Sequence, residues 1–249
     1  MPSLLTTAAS RKPIFQFFLP GIITGGHEAR SHSRPYMALV RFLIEKKTVK
    51  CGGVLTRKYF ILMAGRCWGN SINVTLGAHN IKKQERTQDV IPVKEAIRDP
   101  DFCRLKFSNN IMLLMLERKT KLTAAVWPLR LPWSKAQVRP RQVCSVAGCG
   151  KVTPMGSFSD TLQEVELTAQ QDRERESYLH NYHNSTTQLC VGNPKEKKSS
   201  FTGDFGGPLI CKKVIQGISC YGLDNRTPPR AFTKVSSFLP WIKKTMKCL

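Results

Sequence analysis

The chain has no run approaching the roughly 20 apolar residues that a membrane-spanning helix needs, which excludes a helical anchor within it. It has no paired CxxC clusters at zinc-site spacing, so its nine cysteines point to disulfides rather than a structural metal. It lacks internal repeats, low-complexity segments and long stretches of helical periodicity, which excludes solenoids and coiled coils. Acidic residues are scarce: 17 Asp and Glu stand against 39 Lys and Arg, for a formal charge of +22. A field of that sign favours polyanions: nucleic acid, anionic membrane or sulfated glycan. The hydrophobic share of 41% is that of an ordinary globular chain, and 249 residues bury a substantial core.

What is present is a succession of short apolar runs broken by turn residues. Strands are expected over 36–44, 51–55, 59–65, 72–79, 89–97, 110–116, 143–150, 161–169, 208–222 and 231–235. That spacing suggests a barrel or sandwich. The tail differs, because Trp241, Ile242 and Met246 share a helical face while Lys243, Lys244 and Lys247 face outward. The Pro-rich, basic stretch 127–142 is a candidate junction between two halves. Residues 1–21 read equally as a weak secretory signal or a damaged one, since Arg11, Lys12 and Pro13 interrupt the apolar stretch. Asn73, Asn184 and Asn225 each head a glycosylation sequon, which acts only in a secretory compartment. Secretion, either to a granule or outside the cell, is the expectation.

Three segments carry chemistry. "TGDFGGPLIC" has the Gly-Asp-x-Gly-Gly-Pro frame that surrounds the nucleophile of trypsin-like serine proteases. "YFILMAGRCWG" is similar to the strand that ends in that family's catalytic histidine, and "FSNNIMLLML" to the stretch holding its aspartate. With "SINVTLGAHNIKKQERTQ", "LRLPWSKAQV" and "KVSSFLPWIKKTMK", the chain resembles the granzymes of the B and H type over essentially all of residues 22–249. The resemblance implies an all-β fold of two antiparallel six-stranded barrels with a short C-terminal helix. The first barrel is expected over about 22–126, the second over about 127–235 and the helix over about 236–247.

Carried over position by position, the family's histidine, aspartate and serine fall on Arg66, Asn110 and Phe205. Arginine stays protonated below a pH of about 12, asparagine carries no charge, and phenylalanine has no nucleophilic atom. The expectation is a degenerate triad without peptidase activity. Arg66 is expected either to face an uncharged Asn110 or to swing into solvent. The amides of Gly203 and Phe205 correspond to the oxyanion pocket, which the Phe205 ring is expected to fill. Ile23 and Asp204 correspond to the activation ion pair, provided the chain is cut before Ile23. Ser199 and Arg230 correspond to the specificity pocket, with Cys220 beside it. An arginine there implies acidic peptide ligands.

The family's bridges imply Cys51–Cys67 and Cys144–Cys211. They leave Cys103, Cys149, Cys190, Cys220 and Cys248 outside any family bridge. Cys149 stands where the family has tryptophan, and Arg175 where it has the cysteine that partners Cys190. The partners implied are sulfated proteoglycan or heparin, and acidic peptides. The chain is expected to be a monomer with no cofactor, no metal and no nucleic-acid role. Two other readings stay open: a basic heparin-binding or antimicrobial granule protein of the azurocidin type, and a pseudogene product without selected function.

Overall fold

The computed structural model describes residues 23–133, 137–149, 159–170, 184–193, 196, 199–200, 206–222 and 228–249. The leader, Gly203, Asp204, Phe205 and Asn225 lie outside these residues, as do the side chains of Ile23 and Ser199. Among the described residues, no helix is long and apolar enough to cross a membrane.

The expected strands form two antiparallel layers. In the first half, β3 (Met37–Ile44), β4 (Lys47–Arg57), β5 (Phe60–Met63), β6 (Asn70–Leu76), β7 (Asp89–Arg98) and β8 (Met112–Leu116) close a barrel. Its order is β3-β4-β5-β8-β7-β6. Alternation drives it: along β3, Ala38, Val40 and Phe42 are buried while the residues between them are not. Phe42, Leu55, Ile61, Leu62, Met63, Leu76 and Ile91 are shut from solvent and fill the barrel. Each contributes about 2–3 kcal/mol of burial.

The second half supplies β9 (Val143–Gly148), β10 (Gln163–Thr168), β11 (Gln188–Val191), β13 (Pro208–Cys211), β14 (Val214–Gly222) and β15 (Arg230–Lys234). Their number matches the six strands that the resemblance implies, but β11 lies outside the runs read as strands, the run 208–222 is two strands, and among the described residues they form an open sheet rather than a second closed barrel. A two-residue strand from the start of the chain, β2 (His27–Glu28), joins them through β10, giving the order β11-β15-β14-β13-β9-β10-β2. A further short pair links β1 (Ile23–Thr24) to β12 (Ser199–Ser200), with Ile23 opposite Ser200 and Thr24 opposite Ser199. The opening residues therefore pair with the second half, although they precede the first barrel in sequence. The Arg34 Nε donates to Glu164 at 2.7 Å, a further tie across the same seam.

The tail expected as one helix over 236–247 is two elements. Val235–Phe238 is a tight 3-10 turn, and α1 (Leu239–Cys248) follows with Pro240 in its first turn, where the missing N–H costs nothing. Leu239, Ile242 and Met246 are buried, while Lys243, Lys244 and Lys247 are exposed.

Cys51 is bonded to Cys67 and Cys144 to Cys211. The second bridge ties β9 to β13 in a core with Leu167, Leu189 and Phe232. The two bridges span 16 and 67 residues of chain. By loop-closure entropy they are worth about 3 and about 4 kcal/mol. Replacing Cys144 and Cys211 by alanine together should therefore lower unfolding free energy by about 4 kcal/mol, and replacing Cys51 and Cys67 by about 1 kcal/mol less. Guanidinium titration of both double variants checks the ranking.

Candidate active site between the barrels

The first barrel and the second sheet meet where a Cβ on Gly52 of β4 would lie 2.9 Å from the Gly207 amide, and one on Gly206 would lie 2.3 Å from the Gly52 carbonyl. Gly206 adopts φ +82°, which favours glycine. The Gly206 N–H donates to the Ser219 carbonyl at 3.2 Å, and the Ser219 N–H returns a bond to the Gly207 carbonyl at 2.9 Å. The Gly-Gly part of the loop frame thus fixes how closely the two halves approach.

Beside this seam the structure brings Arg66 and Asn110 together. Arg66 follows β5 and precedes the bridged Cys67, which fixes its backbone. Asn110 immediately precedes Ile111 and β8 and is 1% exposed. Its Oδ1 accepts from the Arg66 backbone N–H at 2.8 Å, and its Nδ2 donates to the Cys220 sulfur at 3.0 Å. Its own carbonyl accepts from Thr233 Oγ1 at 3.0 Å. A neutral amide thus has its donor and its acceptor engaged, as burial demands. The Cys220 thiol in turn lies 3.7 Å from the Phe107 carbonyl, its acceptor.

The guanidinium does not swing free of the cleft. It is half-buried, Nη1 donates to the Cys220 carbonyl at 3.2 Å, and its centre lies 5.9 Å from the Phe107 ring. Desolvation holds its pKa below the ordinary arginine value; Cys220 opposes this and the neighbouring Arg104 charge adds to it. Phe107 stacks on Tyr221 at 4.9 Å between centroids. The Tyr221 hydroxyl donates to Gln188 Oε1 at 3.0 Å, and Gln188 Nε2 donates to the Phe107 carbonyl at 3.1 Å. This aromatic wall was not legible locally, because Phe107 and Tyr221 are far apart in sequence.

Cys220 has a place the sequence reading lacked. Its sulfur lies under Asn110, fully buried, and burial pushes its pKa from 9.0 up to about 11, against the lowering by Asn110, Thr233 and Arg66. The thiol is protonated at neutral pH and shielded, so it is no replacement nucleophile. A thiol whose folded pKa exceeds its unfolded pKa stabilises fully below about pH 9, and that contribution is lost as pH rises through about 11. Cys220→Ser, which keeps the hydrogen bonds without titrating there, should gain about 2 kcal/mol on the parent chain between pH 8 and pH 10.5. Urea unfolding at the two pH values measures it.

Arg230, in β15, is 7% exposed and lies opposite both Gly222 and Val191. Cys190 is fully buried, and Cys149 packs partly against Ala29, Ala147 and Leu162. Cys103, Cys220 and Cys248 form no disulfide. Of the sequons, Asn73 and Asn184 are exposed.

Known proteins match this architecture. The Trypsin family profile matches residues 23–242. Human granzyme B is 61% identical over 227 residues, spanning 91% of this chain and 92% of that protein. Human granzyme H is 60% identical over the same length and coverage. A solved structure titled "Structure of GrC" superposes with a TM-score of 0.88 at 51% identity, covering 90% of this chain and all of that one. The chain therefore belongs to the trypsin family of serine proteases, and within it is a granzyme-like protein close to granzyme B and granzyme H.

Proposed function

We propose that the chain is a catalytically inactive granzyme homologue that retains the cleft as a non-covalent binding site. The observation that carries this reading is the Arg66–Asn110 contact at 2.8 Å, at the positions matching the family's histidine and aspartate. Acyl transfer in this family needs a base that accepts the nucleophile's proton, a carboxylate that orients the base, and a hydroxyl that attacks. A guanidinium accepts no proton near neutral pH, even with its pKa lowered by burial. The Asn110 amide carries no negative charge to stabilise a cation. Phe205 supplies no attacking atom. The degenerate frame still offers recognition: Arg230, buried in β15, suits an acidic peptide side chain.

The chain, cut before Ile23 and assayed on peptides with Asp at the cleaved position, is expected to show no turnover above a protein-free blank, where granzyme B cleaves. Turnover that a serine-directed inhibitor abolishes would overturn the reading. A second reading is favoured by the surface. Lys46, Lys47, Lys82, Lys83, Lys212, Lys213, Lys243, Lys244 and Lys247 are all exposed, and the net charge is +22. They suit retention by sulfated proteoglycan in a secretory compartment, with the chain a monomer.

A further inference from the structure

Along the junction between the two halves, burial repeats every third residue. Val126, Leu129 and Pro132 are buried, Pro128 and Leu131 are half-buried, and Trp127, Arg130 and Trp133 are exposed. Three is the period of a polyproline II helix, which Pro128 and Pro132 favour. The inner side is fixed to the first barrel: the Trp127 N–H donates to the Pro35 carbonyl at 3.0 Å, and the Leu129 N–H to the Leu55 carbonyl at 2.8 Å. Val126 and Leu129 belong to that barrel's core. The outer side is a Trp-Arg-Trp edge, whose two tryptophans stand about 19 Å apart at a rise of about 3.1 Å per residue. Trp127 is 56% and Trp133 86% exposed, the two most exposed of the chain's four tryptophans.

We propose that Trp127, Arg130 and Trp133 form a docking edge for an anionic phospholipid surface, the indoles entering the headgroup layer and the guanidinium meeting lipid phosphate. An indole has an apolar body and one N–H, the combination that settles at the membrane–water boundary. Arg130, three residues from each tryptophan, supplies planar donors to phosphate oxygens. The backbone suits that layer too. A donor without a partner is costly away from water, and four of the seven residues 127–133 bring none: Pro128 and Pro132 have no N–H, and those of Trp127 and Leu129 are bonded to the barrel. Charge complements the partner: no acidic residue occurs between Glu117 and Asp160. Arg57 and Lys58, exposed just beyond the Leu55 carbonyl, add to the positive field. A dissolved polyanion offers the arginine a partner but gives the indoles no apolar layer, which favours the lipid surface. The edge shares no residue with the Arg66–Asn110–Cys220 cluster, and the proposal does not depend on the loss of peptidase chemistry.

The test uses the whole chain cut before Ile23 and vesicles of phosphatidylcholine mixed with phosphatidylserine, read by co-sedimentation and by quenching of tryptophan emission with brominated acyl chains. The parent chain should bind and be quenched. Trp133→Ala should weaken binding by about 10-fold and the less exposed Trp127→Ala by about 5-fold. Arg130→Gln should weaken it by about 5-fold. Lys46→Gln with Lys47→Gln should cost less than about 2-fold, because those lysines lie about 25 Å along β4 from Leu55, beyond the screening length of about 10 Å. Trp127→Phe with Trp133→Phe should abolish the quenching. Trp133→Ala removes a side chain that the core does not use, so folding is not at stake in it. A parent chain that fails to bind the mixed vesicles would overturn the proposal. So would binding without quenching, or a Trp127→Ala with Trp133→Ala variant that binds within about 2-fold of the parent, since either shows adsorption by charge alone. Quenching that persists in the double phenylalanine variant would also overturn it, by placing the inserted tryptophan elsewhere.

Discussion

Reverting Arg66→His, Asn110→Asp and Phe205→Ser together should raise kcat/KM on acidic peptides by about 10³-fold or more over the parent chain, while any single reversion stays at background. The three groups act as a unit, so a serine without a base is no better than no serine. The geometry is already suited to the change. The carboxylate introduced by Asn110→Asp would keep the acceptor that the Arg66 N–H now uses at 2.8 Å, and the Cys220 thiol, which now receives the Asn110 amide at 3.0 Å, would turn to donate to it. An imidazole is smaller than the guanidinium it replaces, so no wall must move. Steady-state kinetics on the three single variants and the triple variant, each cut before Ile23, checks this. A triple variant still at background would place the defect in the fold, not in the three side chains.

The second large effect is on stability and involves no catalytic group. Gly206→Ala should lower unfolding free energy by about 3–5 kcal/mol and the Tm by roughly 6–20 °C. Two penalties combine. The backbone sits at φ +82°, and the new Cβ would be 2.3 Å from the Gly52 carbonyl, a main-chain atom that moves only if β4 moves. Domain stability is about 5–15 kcal/mol in total, so a loss of this size threatens folding itself. Calorimetry measures it, and a Tm within about 2 °C of the parent would show that the seam between the two halves is looser than its contacts imply.

That contrast explains what the sequence made legible. The alternation of Ala38, Val40 and Phe42 announces β3 without help, and so does the pairing of Ile242 with Met246 one turn apart on α1. The glycines of the loop frame and the flanks of Arg66 and Asn110 carry the fold because they serve backbone architecture, which outlasts a change of side-chain chemistry. Other features have no local signal. β2 is two residues long and finds its partner in β10, more than a hundred positions away. The Asn110–Cys220 bond spans 110 positions, and each of its ends looks unremarkable alone. The stacking of Arg98 on Trp68 and Phe102 depends on two rings arriving from separate loops, which nothing in the local sequence announces.

The central claim is that a granzyme frame persists here without the means to form an acyl-enzyme. Intact-mass measurement of the purified chain, cut before Ile23 and exposed to excess fluorophosphonate, tests it most directly. The account predicts an unchanged mass, with the triple reversion gaining one adduct under the same conditions. An adduct on the parent chain that maps to residues 203–207 would contradict it.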